Sequence, residues 1–322
     1  MKQDEIPIFF TVDESYAPYL DCAIRSMMEH ASKAYTYQII VLHEDLTEES
    51  RRKLSVNVKP PFQIRFIHMK DKLAGITDRA ENRLRCDYFT LTIYFRLFIA
   101  DMFPEYDKGV YLDSDIVVPG DISQLYRTEL GGNIIAACTD RSIMPVPELV
   151  NYVEDAVGVP IDQYINSGIL VMNLKKMREV GFSGHFLHLL STYHFDCLAP
   201  DQDYFNAMCN GKIVYLDESW DAMPPEGGGA VSVLEHPNLI HYNLFQKPWC
   251  YDNIPYEDYF WRCAKGSPFY EDIERHKETY SEAQKASDRT CLGNMIRKGP
   301  EVCKQPVTFR KMGEEGKKIR VC

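Results

Sequence analysis

Hydrophobic positions in the first 140 residues alternate between two periods. Ile6 to Val12, Tyr37 to Leu42 and Phe62 to Ile67 are short continuous apolar runs, the pattern of strands buried on both faces. Between the first two, Leu20, Ala23, Ile24, Met27 and Met28 recur at i, i+3, i+4, i+7 and i+8, which predicts a helix with one buried face. Thr47 is placed to cap a second helix, with Glu48 and Glu49 in its first turn where the helix dipole favours negative charge. Phe89 to Phe103 predicts a further helix, and Val110-Tyr111-Leu112 a fourth strand that runs into Asp113. Strand and helix in alternation imply right-handed βαβ units and a mostly parallel sheet. Ligands of such sheets bind beyond the carboxyl ends of the strands, where Asp13 and Asp113 both fall.

The second half is less regular. Ile134 to Cys138, Ile169 to Met172 and Asn238 to Tyr242 read as strands, 174 to 193 as a helix, and Pro224, Pro225 and Gly227 to Gly229 as a loop suited to cover a site. After about residue 265 the apolar periodicity fades into polar and basic residues. The expected organisation is therefore a body over 1–265 and a helical, basic extension over 266–322, partly disordered or resting on a membrane.

Composition narrows the function classes. With 45% hydrophobic and 26% charged residues the 322-residue chain is of ordinary globular type, and its net charge of −11 excludes a nucleic-acid footprint. Ten cysteines occur without any C-x-x-C pair, which argues against zinc-ribbon and thioredoxin-like patterns. No apolar signal segment opens the sequence and no stretch of ~18 apolar residues follows, so reduced cysteines in the cytoplasm are expected. Residues 280–322 carry a local excess of Lys and Arg; Arg310-Lys311 and Lys317-Lys318-Ile319-Arg320 are the candidates for peripheral contact with anionic lipid.

Chemistry concentrates in a few places. In Leu112-Asp113-Ser114-Asp115 the two carboxylates sit at i and i+2, so on an extended segment both point to one side and can share a cation. His241 and Lys247, in His241-Tyr-Asn-Leu-Phe-Gln-Lys247-Pro-Trp249, would add an imidazole and a positive charge for phosphate. A mixed N/O site suits Mn²⁺ better than Mg²⁺. Arg96, with Thr92, forms the polar stripe of an otherwise apolar helix and needs an anionic partner, protein or substrate. Asn166-Ser167-Gly168 leads into one strand, and Asp201-Gln202-Asp203 opens a helix.

Together with Thr11-Val12-Asp13 and Tyr94-Phe95-Arg96, these motifs, in this order over about residues 6 to 250, resemble glycosyltransferase family 8. That resemblance implies a single GT-A-type (Rossmann-like) α/β domain and transfer of galactose or glucose from a UDP-hexose to a glycan or glycolipid acceptor. The product would be α-linked with retention, in cell-surface glycan or lipopolysaccharide synthesis. It implies Asp13 and Thr11 at the uracil, and Asp113, Asp115 and His241 as Mn²⁺ ligands, with Ser114 beside them. Lys247 would lie on the diphosphate, Arg96, Asn166 and Asp201 around the donor sugar, Gln202 beneath the anomeric carbon and Asp140 near the reaction centre. Where family members often have Gly, three residues after the metal-binding His, this chain has Leu244; Gly tolerates φ > 0 and Leu does not, so the backbone there is not expected to approach the diphosphate in the same way. Gln202 is a poor nucleophile, which favours attack from the face that UDP leaves. Two other readings are a haloacid-dehalogenase-type phosphatase with Asp113 as nucleophile and a nucleotide-sugar-binding protein without turnover.

Overall fold

The computed structural model describes residues 5–69, 91–224 and 233–322. Phe89 and the expected loop residues Pro225 and Gly227 to Gly229 lie outside the described residues. The strands among the described residues are β1 (Glu5–Thr11), β2 (Thr36–His43), β3 (Phe62–His68), β4 (Gly109–Leu112), β5 (Ile116–Val117), β6 (Ile135–Ala137), β7 (Ile169–Met172), β8 (Ile213–Tyr215) and β9 (Ile240–His241). By packing the chain divides into two units, each assembled from three separated segments.

The first unit comprises Met1–His68, Gly109–Thr128 and Asp217–Asp288. Its strands run β3-β2-β1-β4, all parallel, with Ile8 beside Ile39 and Val110. Ile6, Ile8, Phe9 and Phe10 of β1 are all fully buried, which is why the strand reads as an unbroken apolar run. The helix Ala17–His30 buries Leu20, Ala23, Ile24 and Met27, the predicted face. Thr47 caps the helix Glu48–Val56 by accepting the Ser50 amide at 3.1 Å. A short antiparallel pair, β5-β9, sets His241 opposite Ile116, one residue from Asp115.

The second unit comprises Met69–Lys108, Glu129–Leu216 and Arg289–Cys322. Here β6 pairs antiparallel with β7 and parallel with β8. Two expected helices are divided. Leu91–Phe98 winds as a 3₁₀ helix before a single α turn, Ile99–Met102. Tyr94, Phe95, Leu97 and Phe98 are buried on every side, so packing and not an amphipathic period decides the winding. The expected helix 174–193 is two, Leu174–Glu179 and Phe182–Tyr193, separated at Gly181, whose φ of +64° is left-handed.

The C-terminal stretch is helical over Tyr270–Thr279, Glu282–Cys303 and Phe309–Glu314. Phe309, Met312, Ile319 and Val321 are buried, and Phe309 lies 3.9 Å from the Phe195 ring centroid. The Val321 amide donates to the Met208 carbonyl at 3.0 Å, and Arg310 pairs with Asp155 at 2.5 Å. The buried apolar residues are few and set among charges, so the sequence pattern there is weak. No disulfide forms among the described residues, and none of their helices is long and apolar enough to cross a membrane.

Candidate functional site

In the first unit, the end of β4 and the β5-β9 pair bring Asp113, Asp115 and His241 together. One donor atom from each lies within 4.8 Å of the others. His241 Nε2 is 3.4 Å from Asp115 Oδ1 and 4.0 Å from Asp113 Oδ2, while its Nδ1 lies 3.1 Å from Asp221 Oδ1. Asp221 therefore fixes the ring with Nε2 toward the two carboxylates, the arrangement of a carboxylate–histidine–metal triad. Two carboxylates and an oriented imidazole fit a divalent cation, as the sequence predicted. Asp221 is a residue the sequence did not flag, because a lone Asp in a 3₁₀ turn (Glu218–Asp221) carries no spacing signal.

Lys247 joins the same cluster. Its Nζ is 2.5 Å from Asp115 Oδ2 and 2.6 Å from the Tyr242 carbonyl, with the rings of Trp249 and Tyr16 at 5.5 and 5.9 Å. Burial would push the Asp115 carboxyl up, but Lys247 and His241 outweigh it and hold it well below the usual carboxylate range. Burial likewise pulls the His241 imidazole down, yet Asp115 and Asp221 raise it to about 10. Three carboxylates face two cationic side chains when His241 is protonated, so the cluster keeps a surplus negative charge, and cation binding is linked to loss of that proton.

Around this core, Tyr111 bridges Thr11 Oγ1 at 2.6 Å and Asp113 Oδ1 at 2.8 Å, orienting the first carboxylate from β1. Ser114 turns inward to the Thr11 carbonyl at 3.3 Å. Asp13 caps the turn Glu14–Tyr16, accepting from the Tyr16 amide and the Ser15 hydroxyl. Leu244 adopts a left-handed backbone, φ +53°, against the premise that leucine does not tolerate positive φ there. Its neighbours impose a conformation that costs a non-glycine residue about 1–2 kcal/mol.

In the second unit the remaining candidates form one buried network. Arg96 Nη1 donates to the Ser167 carbonyl at 2.9 Å and sits 3.2 Å from Asp201 Oδ2. Ser167 Oγ donates to Asp201 at 2.9 Å, and its amide to Gln202 Oε1 at 3.0 Å. Gln202 Nε2 donates to Asp140 Oδ2 at 2.8 Å, and Asn166 Nδ2 reaches the same oxygen at 3.4 Å. The anionic partner that Arg96 required is thus Asp201. Asp203, one residue on, accepts from the Tyr152 and Tyr164 hydroxyls at 2.6 and 2.7 Å and from the Ala199 amide at 3.1 Å. Burial nonetheless pushes its carboxyl up to about 6.

Two predictions follow from these contacts. Replacing Asp221 by Ala should weaken divalent-cation affinity roughly 10–100-fold in a direct Mn²⁺ titration, since the imidazole loses its orienting partner. Asp203 binds its proton more tightly folded than unfolded, so its contribution to stability is complete below about pH 4 and disappears as pH rises through about 6. Chemical denaturation of Asp203→Asn from pH 4 to 8 should lack that decline, about 3 kcal/mol, and an unchanged slope would refute the assignment.

Residues 7–253 match the profile described as glycosyl transferase family 8. Lipopolysaccharide 1,2-glucosyltransferase of Escherichia coli is 28% identical over 220 residues, covering 63% of this chain and 64% of the relative, so the match spans just under two thirds of that protein. Among solved structures, the bifunctional glycosyltransferase WbbM in its apo form superposes with a TM-score of 0.74 at 23% identity, over 86% of this chain and 52% of that one. Galactosyltransferase LgtC, solved with donor and acceptor sugar analogues, gives 0.64 at 22% identity over 82% and 96%. These likenesses show the fold, an α/β fold of the GT-A type. With most of its length matched and the Asp113-x-Asp115 and His241 cluster assembled, the chain belongs to glycosyltransferase family 8.

Proposed function

We propose that the chain is a retaining hexosyltransferase that uses a UDP-sugar, with galactose or glucose as the transferred unit, to build an α-linkage on a glycan or glycolipid acceptor. The observation that carries this reading is the convergence of Asp113, Asp115 and His241, with Asp221 behind the imidazole and Lys247 against Asp115. Family membership removes the phosphatase alternative, and it supports catalysis over mere binding. The name of the E. coli relative supports a role in lipopolysaccharide or other cell-surface glycan synthesis. The catalytic part would be 1–265, with 266–322 as an extension.

In the proposed mechanism Asp113, Asp115 and His241 would hold Mn²⁺ (Mg²⁺ as substitute), which would neutralise charge on the donor diphosphate. Lys247 adds a second positive charge where the leaving group becomes more anionic, the place where stabilisation lowers the barrier. Thr11 and Asp13 take the uracil, and Ser114 stands beside the metal ligands. Arg96, Asn166 and Asp201 hold the donor sugar. Gln202 lies beneath the anomeric carbon, and its hydrogen bonds to the Ser167 amide and to Asp140 keep its amide fixed. Because an amide is a weak nucleophile, the bond from the anomeric carbon to UDP breaks as the acceptor oxygen bonds on the same face. The acceptor proton passes to a UDP oxygen.

The test is UDP release from a panel of UDP-sugars with Mn²⁺, with EDTA, and with Asp115→Ala. Turnover of one donor should vanish with EDTA and fall on the order of 10²–10³-fold in the variant. If no donor is turned over and none raises the melting temperature, the reading fails.

The same reading puts the enzyme in the cytoplasm at the inner membrane face, with basic residues of 280–322 touching anionic lipid. Lys317→Glu/Lys318→Glu/Arg320→Glu should abolish co-sedimentation with phosphatidylglycerol vesicles. Undiminished sedimentation of that variant would eliminate the membrane contact.

A further inference from the structure

Lys247 belongs to a tight turn that is held from outside by a second lysine. The Cys250 and Tyr251 amides both donate to the Lys247 carbonyl at 2.9 Å, closing a single turn over 247–251. Pro248 contributes no amide, and the carbonyls of Pro248 and Tyr251 point away from the closed turn toward the helix Tyr270–Thr279. There Lys277 Nζ donates to Pro248 O at 2.8 Å and to Tyr251 O at 2.7 Å, and its third bond goes to Asp252 Oδ1 at 3.0 Å. An ammonium has three protons, so its donor capacity is filled by this one loop. Its position over the Trp261 ring, 5.3 Å from the centroid, fixes the side chain further. The other flank of the turn is fixed by Trp249, 2% exposed and stacked 4.0 Å from Tyr19. Tyr251 is anchored too, its hydroxyl donating to Asp288 at 2.7 Å, as does that of Tyr280.

We infer that Lys277 is a positioning residue for the Lys247 ammonium: it clamps the two ends of the 248–251 turn and so holds Lys247 at Asp115, ready for a diphosphate. The inference rests on the proposed role of Lys247 toward the donor diphosphate. Nothing in the sequence motifs includes Lys277, which lies in the basic, weakly periodic tail. Two carbonyls and one exposed carboxylate converge on this one side chain. A neutral side chain of the same length takes this ammonium donor away from both carbonyls, and the turn then relaxes away from Asp115.

The test compares Lys277→Met, Lys277→Arg, Lys247→Met and the double variant for Mn²⁺-dependent donor hydrolysis and for binding of UDP and of uridine. The longer guanidinium of Lys277→Arg has room in the adjoining cavity of about 520 Å³, lined by Cys250, Trp261, Tyr270 and Lys285 among others. Lys277→Met should lose roughly 10–100-fold in UDP affinity and kcat/KM with uridine binding unchanged, and Lys277→Arg should recover most of the loss. The double variant should be no worse than Lys247→Met, because Lys277 acts through Lys247. Losses that multiply in the double variant, or that fall equally on uridine, overturn the inference. If Lys277→Met shows no native melting transition, Lys277→Gln is read by the same criteria. If Lys247→Met itself keeps full UDP affinity, the role of Lys247 fails and not the clamp alone.

Discussion

The ion pair between Lys247 and Asp115, shared through Asp115 with His241 and through His241 with Asp221, is the constraint around which the first unit is arranged. Each of these groups is largely withdrawn from water, and a buried charge is tolerable only when its partners are in place. Removing one member of such a set typically costs about 3–5 kcal/mol, because the survivor is left buried and uncompensated. The β5-β9 pair, the Tyr111 hydroxyl on Asp113 and the stacked Trp249 are consistent with that demand. The same charges are what a metal and a diphosphate would exploit. Stability and chemistry therefore draw on one cluster.

The second unit solves a similar problem with more hydrogen bonds and fewer charges. Arg96 and Asp201 form an ion pair there, and Ser167 answers both through its hydroxyl and its carbonyl. Gln202 is held at both ends of its amide, by the Ser167 backbone and by Asp140, so its orientation is set before any ligand arrives. Asn206 adds a backbone brace, accepting from the Ile165 amide at 2.7 Å and donating to the Ile165 carbonyl at 2.9 Å. A network satisfied at nearly every position is rigid, which is what preorganised stabilisation of a transition state requires. Asp203 is the exception in kind: it receives three hydrogen bonds and its carboxyl is still pushed up to about 6, because complete burial outweighs them.

Leu244 and Lys277 show how tertiary context overrides local preference. A leucine at φ +53° opposes its own steric preference, yet the segment from β9 to the Lys247 turn adopts that geometry. Lys277 looks like one of many solvated basic residues in the tail, yet all three of its protons meet acceptors of one loop.

By itself the sequence determined the parallel strands of the first unit, the helix Ala17–His30, the Thr47 cap, and the identity of the two carboxylates and the imidazole that converge. Those features are written in short-range code: period, capping chemistry, and side chains two apart on an extended segment. Only the tertiary structure decided that Asp221 stands behind His241, that Asp201 answers Arg96, that Gly181 divides a helix and that Phe309 and Val321 are core. Each of these joins residues remote in sequence or isolated among polar neighbours, where no local period exists. What selects them is the requirement that buried charges and hydrogen-bonding groups find partners, and that requirement acts only once the chain is packed.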